Sequence, residues 1–561
     1  MRDTASEVRD TAIRAYRKVR DRARRHGRRI RQRWRTATPQ QRQTVRVTAG
    51  AAGLGLVVAV TAVATSGPWD SGQRTAERSW AAARDGRSGG NHTGEGAGAP
   101  GAPDVLAALD MDAVRGDPAG GGREAEPTHG PGAAGVPPPS EDALADALEP
   151  LMKDGDLGKL RAVSVVDAAT GRKLYAKKPH KAVTPASTVK LATAVAALSA
   201  RGAEHRIETR TVRGTGESSD EIVLVGGGDP TLSRGALDDL ARDTARKLRT
   251  GQDGKDGKDG KDGKGGKGGK GGKGGKVSVR YDTSLYGGPV RHSIGTNDNL
   301  APVSPLMVDE ARLGDPPDSG DEEPAHGPAP RSSDPAEDAA EHFADALGEH
   351  GVDVEGDPEE TKAPGRTQKL ASHRSVPLSA LVERMLTYSD NDIAEALARQ
   401  TALAAGEPAS FKGAGKAVRH RLDKLGVPVK GAHFADGSGL DRGDKVTPAL
   451  LTSLLVRAAD PGHADLRPVL TGMPVAHFTG TLGGRYGNDK GKQGAGLVRA
   501  KTGTLTGVNT LAGTVVDADG RLLAFAFMTS GTSDGKGAQR SLDSLAAALA
   551  NCGCRDSPSE G

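Results

Sequence analysis

Cysteine and aromatic residues are scarce in this sequence: its 561 residues include two cysteines and only 3% Phe, Trp and Tyr. Cys552 and Cys554 stand at the far C-terminal end with one glycine between them, so no disulfide framework spans the chain. The 14 histidines contain no HExxH arrangement, and with so few thiols neither a structural nor a catalytic zinc site has support. No metal and no cofactor is expected. Hydrophobic residues amount to 35%, which is thin for this length, so a large share of the chain lies outside any core. The 79 glycines and 33 prolines, gathered in a few low-complexity stretches, agree with that.

Only one long uncharged apolar run exists, at residues 47–65, and it spans 19 positions. About 17 to 25 are needed to cross a bilayer. Before it, residues 1–46 hold 16 Lys/Arg against 4 Asp/Glu, so the net charge of +5 belongs to this arm and the rest of the chain is net acidic. A basic segment directly abutting an apolar one reads as a membrane topology signal and not as a nucleic-acid surface. The expected layout is therefore a cytoplasmic segment at 1–46, a transmembrane anchor or signal segment at 47–66, and a Gly/Ala/Pro-rich linker at 67–141. The remaining region, 142–561, is expected outside the membrane, either single-pass anchored or secreted if the segment is cleaved at Ala62-Val-Ala64.

Within that region, a helical pattern at 143–151 is followed by alternating strands at 160–167 and 172–176 around the turn Ala168-Ala-Thr-Gly171. Further strands are expected at 221–225, 277–281, 497–505, 510–516 and 522–528, with helices at 189–198, 236–248, 378–386 and 393–403. Four Asp-Gly-Lys triplets and four Gly-Gly-Lys triplets form a tract at 253–276, read as part of a solvated loop over 251–276. No Gly-Lys in it is followed by Ser or Thr, which removes the phosphate-cradling P-loop. A Pro/Asp/Glu-rich stretch at 314–335 reads as another surface loop.

Three motifs then stand in order: Ser187-Thr-Val-Lys190, Ser389-Asp-Asn391 and Lys501-Thr-Gly503. Ser187 opens an alanine-rich helix that places Lys190 one turn on, on the same face. A serine hydroxyl needs a nearby base, and a lysine brought from pKa 10.4 to about 7 requires roughly 4.6 kcal/mol of environmental bias. Burial and a second cation, with Lys501 as the candidate, would supply it. Ser389 and Asn391 fall between two helices, where a hydroxyl can relay a proton and an amide can hold a peptide group. Lys501, Thr502, Gly503 and Thr504 lie on an edge strand along which a substrate backbone could run, with Gly503 allowing its close approach and the Thr504 and Ser187 N–H groups as an oxyanion hole. A second Ser-x-x-Lys, Ser533-Asp-Gly-Lys536, lacks such company. It overlaps a G-x-S-x-G match at 531–535, but the last histidine is His477, so an α/β-hydrolase triad order fails.

In this order the trio resembles the site of class C low-molecular-mass penicillin-binding proteins, the D-alanyl-D-alanine carboxypeptidase/endopeptidase family. Pro185-Ala-Ser-Thr-Val-Lys-Leu191, Gly226-Gly-Gly-Asp-Pro-Thr-Leu232, Ala301-Pro-Val-Ser304, Ser389-Asp-Asn-Asp-Ile-Ala-Glu395, Asp436-Gly-Ser-Gly-Leu440 and Gly480-Thr-Leu482 are similar too. The resemblance covers residues 142–550. It implies an α/β (α+β) transpeptidase/β-lactamase-like fold, a five-stranded sheet flanked by helices. An insertion domain at about 205–372 would fill the 202 positions from Ser187 to Ser389. It implies peptidoglycan stem peptides as substrate, β-lactams as inhibitors, Ser187 as nucleophile and Lys190 as base. Ser389 would be the proton relay, Asn391 the acyl-side ligand, Lys501 the carboxylate partner, and Thr502 and Thr504 pocket walls. A β-lactamase-type hydrolase and an inactive wall-binding relic are the other readings.

Overall fold

The computed structural model describes residues 138–552 apart from 215–219, 257–275, 296, 315–324 and 489. The basic arm, the apolar run at 47–66 and all but the end of the linker lie outside the described residues. No helix among those described is long and apolar enough to cross a membrane.

The chain enters through helix α1 (Glu141–Leu148), capped by the Ser140 hydroxyl, and strands β1 (Leu160–Asp167) and β2 (Lys173–Lys177). Helix α2 (Lys190–Arg201) follows. A second region then holds β3 (Glu208–Gly214), β4 (Glu221–Val225), α3 (Arg234–Asp256), β5 (Ser278–Asp282), α4 (Pro335–Glu349), β6 (Glu359–Glu360) and β7 (Thr367–Arg374). Helices α5 (Leu378–Tyr388), α6 (Asn391–Ala404), α7 (Phe411–Lys424) and α8 (Pro448–Ala459) return to the first region. Strands β8 (Val498–Leu505), β9 (Val508–Val516), β10 (Leu522–Ser530) and helix α9 (Gly535–Ala550) close it.

The first sheet runs β2-β1-β10-β9-β8 and is antiparallel throughout. Its two halves come from opposite ends of the described chain, joined where Val163 faces Phe527 and Val165 faces Phe525. Alternate residues serve two cores. Ala162, Val166, Ala524, Ala526 and Met528 face the core with α2, α5, α6 and α8. Val163, Val165, Phe525, Phe527 and Leu511 face α1 and α9. Covered on both sides, these strands read as nearly unbroken apolar runs.

The second sheet, β6-β5-β4-β3-β7, mixes parallel and antiparallel pairs, and α3 and α4 cover it through Leu240, Ala241, Ala340 and Phe343. Two loop expectations are corrected here. Helix α3 continues past Leu248 to Asp256, into the tract read as loop, because extending a formed helix costs less than starting one. The stretch read as a surface loop to residue 335 ends in buried structure: Arg331 is taken up by Glu310 and Asp392, and Ser332 is buried with it.

Phe525 stacks on Phe527 with ring centroids 5.0 Å apart, both fully buried. Phe525→Ala should lower stability by about 3 to 5 kcal/mol in urea unfolding, whereas Val516→Ala, 38% exposed, should stay within about 0.5 kcal/mol.

Candidate active site

Ser187 sits in a short 3-10 turn, Ala186–Val189, that runs straight into α2, so Lys190 is the first residue of the helix proper. The turn is under strain: Ala186, buried and not glycine, has φ +49°. Two glycines let it settle there. A Cβ on Gly439 would lie 2.1 Å from the Ala186 carbonyl oxygen, and one on Gly503 would lie 2.7 Å from that of Pro185 and 2.2 Å from Thr510 Oγ1. The missing side chain of Gly503 thus makes room for the serine-bearing turn, where the sequence suggested room for substrate. Thr510 Oγ1 then ties β9 to the Pro185 carbonyl at 2.7 Å.

Lys190 is completely buried, and its Nζ meets Ser187 Oγ at 3.1 Å, Asn391 Oδ1 at 2.8 Å and the Ser438 carbonyl at 2.6 Å. Burial brings its pKa down to about 8, against the opposing pull of Asp436, Asp390 and Glu395. The second cation invoked from sequence is not what lowers it. Lys501, also buried, is pushed well below its ordinary value by burial first and then by Lys190 and Arg485.

Lys501 Nζ donates to Ser389 Oγ at 2.8 Å and to the Thr502 carbonyl at 2.9 Å. Thr502 Oγ1 bonds Thr481 Oγ1 at 3.0 Å. Ser389 ends α5 in the left-handed region, φ +61°, and Asp390 caps α6 by accepting from Ile393 N–H at 2.9 Å. This abrupt junction sends Ser389 to Lys501 and Asn391 to Lys190. The Asn391 amide is fixed at its other end by the Asn299 carbonyl, 2.8 Å away. Ser187, Lys190, Ser389, Asn391, Lys501 and Thr502 are therefore joined in two short chains of contacts. Thr504 pairs opposite Asn509 with an exposed side chain near Gln539. The second Ser-x-x-Lys lies exposed at the start of α9.

Several residues beneath the site carry no motif role in the sequence reading. The Asp436 carboxylate accepts from His292, from the N–H groups of Ser438, Gly439 and Asp441, and from the Ser438 hydroxyl. Glu395 Oε1 accepts from the N–H groups of Gly437 and Ser438, and Thr193 holds the Gly437 carbonyl. This loop is thereby clamped with the Ser438 carbonyl aimed at Lys190. Glu395 is balanced by buried Arg399 at 2.9 Å, whose guanidinium lies 4.2 Å from the Phe411 ring centroid.

On the far side of Asn391, Asp390 and Asp392 meet Glu310, which is borne on three consecutive left-handed residues, Asp309, Glu310 and Ala311. Arg312, Arg331 and Arg384 surround that carboxylate. His292/Glu395/Asp436 and Glu310/Asp390/Asp392 each bring three possible metal donors within 4.8 Å. Arginines and backbone N–H groups already engage them. In the sequence the loop at Asp436 is visible only as the match Asp436-Gly-Ser-Gly-Leu440, without an assigned task.

Burial and the neighbouring Asp436 charge push the Asp444 carboxyl far up, so it is protonated at neutral pH. Burial also opposes ionisation of Asp436, but hydrogen bonds from His292, Asp444 and backbone N–H groups outweigh it and hold that carboxyl well down. Asp444→Asn mimics the protonated acid without having to take up a proton on folding, so it should be at least as stable as wild type at pH 7, while Asp436→Asn leaves buried donors unmatched and should cost about 2 to 4 kcal/mol. A raised folded-state pKa favours folding at low pH and loses that benefit as pH rises, so Asp444→Asn should also flatten the decline of stability between pH 5 and 9. Thermal unfolding across that range checks both.

Comparison with known proteins gives one consistent answer. The D-Ala-D-Ala carboxypeptidase 3 (S13) family matches residues 144–253 and 322–549. A carboxypeptidase of Mycobacterium tuberculosis is 34% identical over 422 residues, spanning 74% of this chain and 85% of the relative. The D-alanyl-D-alanine carboxypeptidase of Actinomadura sp. strain R39 is 29% identical over 444 residues, spanning 70% of this chain and 81% of the relative. The crystal structure of penicillin binding protein 4 from Haemophilus influenzae superposes with a TM-score of 0.56 at 23% identity, covering 73% of this chain and 99% of that one. It shares the fold.

Proposed function

Because this chain belongs to the D-Ala-D-Ala carboxypeptidase 3 (S13) family and is a serine-type D-Ala-D-Ala carboxypeptidase/endopeptidase, we propose that its acyl-enzyme forms at Ser187 with Lys190 as general base. The arrangement around Lys190 Nζ carries this reading. A neutral amine has two hydrogens and one lone pair. With Asn391 Oδ1 and the Ser438 carbonyl as acceptors for the two hydrogens, the lone pair is left for the Ser187 hydroxyl, 3.1 Å away. A pKa of about 8 leaves roughly a tenth of the amines neutral at pH 7, a suitable poise for a base.

In the proposed reaction Ser187 Oγ attacks the carbonyl between two terminal D-alanines, or of a D-alanyl cross-link, as Lys190 takes the proton. The backbone N–H groups of Ser187 and Thr504 receive the oxyanion. Ser389 hands a proton to the departing amine, assisted by Lys501, whose Nζ it already touches. The leaving-side carboxylate supplies the counter-charge that favours protonated Lys501 despite its burial. Asn391 orients the acyl-side peptide group, and Thr502 and Thr504 bound the strand along which it lies. Water then releases the acyl group. A β-lactam would follow the same route and remain attached at Ser187.

We further read residues 47–66 as the element that exports the catalytic region to the cell wall, as a single-pass anchor or a cleaved signal. Its test is the mass of the mature protein and its partition with membranes.

Release of D-alanine from a soluble stem-peptide analogue ending in D-Ala-D-Ala tests the reaction. Ser187→Ala should lose at least about 10³-fold in kcat/KM with an unchanged melting temperature. Undiminished release by that variant would refute the assignment of the nucleophile.

A further inference from the structure

A cavity of about 610 Å³ opens beside the first sheet, away from the six side chains described above, and Lys159, Arg161, Lys177 and Lys178 line it with three glycines between them. No carboxylate is among its lining residues. The volume falls within the range of small-molecule sites, ~300 to 1,000 Å³, and exceeds what one phosphate needs.

The charges there are not spent within the protein. Arg161 donates to the carbonyls of Met152 and, at 3.0 Å, of Gly158, neutral acceptors that fix the guanidinium without cancelling its charge. Neighbouring Lys173 is paired with Glu141, but Lys159, Lys177 and Lys178 have no such partner among the described residues. Asp154 senses Arg161, yet its carboxylate is taken by Ser541 Oγ and the Asp156 N–H and does not line the cavity.

The walls have a defined shape. Gly158, at φ +70°, lies so close to the end of β10 that a Cβ would come within 2.7 Å of Gly531 and Ser530, and Lys178 is itself held in the left-handed region at φ +51°. Gly531, on the cavity wall, donates its N–H to the Gly507 carbonyl at 2.8 Å. Gly507 lies in the turn between β8 and β9, just beyond the strand carrying Lys501 and Thr504. One wall of the cavity is therefore tied to the turn at which the substrate strand finishes.

We propose that this cavity binds consecutive phosphodiester groups of an anionic wall polymer and so holds the enzyme against its insoluble substrate. The proposal rests on the cell-wall action of the enzyme. Four unneutralised cations around a space larger than one phosphate suit a repeating polyanion, and attraction to it would weaken with salt.

The test is binding of the full chain to immobilised poly(glycerol phosphate) at about 50 mM and about 300 mM salt, across which screening strengthens, with a Lys159→Ala/Lys177→Ala/Lys178→Ala variant. Wild type should bind at least about 10-fold more tightly than the variant at low salt, and the difference should shrink at high salt. Both should release D-alanine from the soluble peptide at the same rate. Equal binding by the two proteins overturns the proposal. So does competition by inorganic phosphate at the same phosphate concentration as the polymer, which marks a single-anion site, or preferential capture by vesicles containing phosphatidylglycerol, which marks a lipid surface. Failure of the wild type to release D-alanine would instead count against the reaction assigned above, because binding is read independently.

Discussion

Two lysine side chains, Lys190 and Lys501, are withdrawn completely from water at one site, and the surrounding structure is organised by that constraint. A buried ammonium is costly unless it is neutralised or matched by acceptors. Lys190 has carbonyl and hydroxyl acceptors around it and carboxylates one layer further out, at Asp436, Asp390 and Glu395. Burial lowers its pKa and those carboxylates limit the fall. The outcome is an amine poised near neutrality and aimed at a serine.

The carboxylates themselves require support, which explains the polar interior under the site. Glu395 is paired with Arg399, Asp436 is wrapped by His292 and a loop of backbone N–H groups, and Asp392 is met by Arg331. His292, Asn299, Glu310 and Arg331 all come from the stretch between the first two motifs. That long insertion therefore does more than decorate the fold. It contributes the second layer that holds Asn391 and the 436–441 loop in place. The strained backbone at Ala186, Ser389 and Asp309–Ala311 lies where these layers meet, each position fixed by packing or ion pairs.

Much of this is legible in the sequence because it is local. The first sheet follows from alternating or continuous apolar strands, and the helices around Ser389-Asp-Asn391 from their periodicity. The order of the three motifs is enough to bring six residues together. What escapes has long-range causes. Arg331 resembles part of a polar surface loop because its partners, Glu310 and Asp392, are distant in sequence. The Ser438 carbonyl has no side-chain signature. No glycine announces the left-handed turn at Asp309–Ala311. Gly503 suggests room for substrate because its neighbours, Thr510 across the sheet and the Pro185 turn, meet it only in three dimensions. Of the two causes read from the sequence for the lowered Lys190 pKa, burial is the one that acts, outweighing the nearby carboxylates, and the second cation is not among the influences on it.

The most direct measurement of the central claim is the rate at which labelled penicillin acylates the protein between pH 6 and 10, followed by intact mass and by locating the modified peptide. Neutral Lys190 as base predicts one adduct, on Ser187, forming faster as pH rises and levelling off with an apparent pKa near 8. An adduct on another residue, no adduct, or a rate that is flat across this range would contradict it.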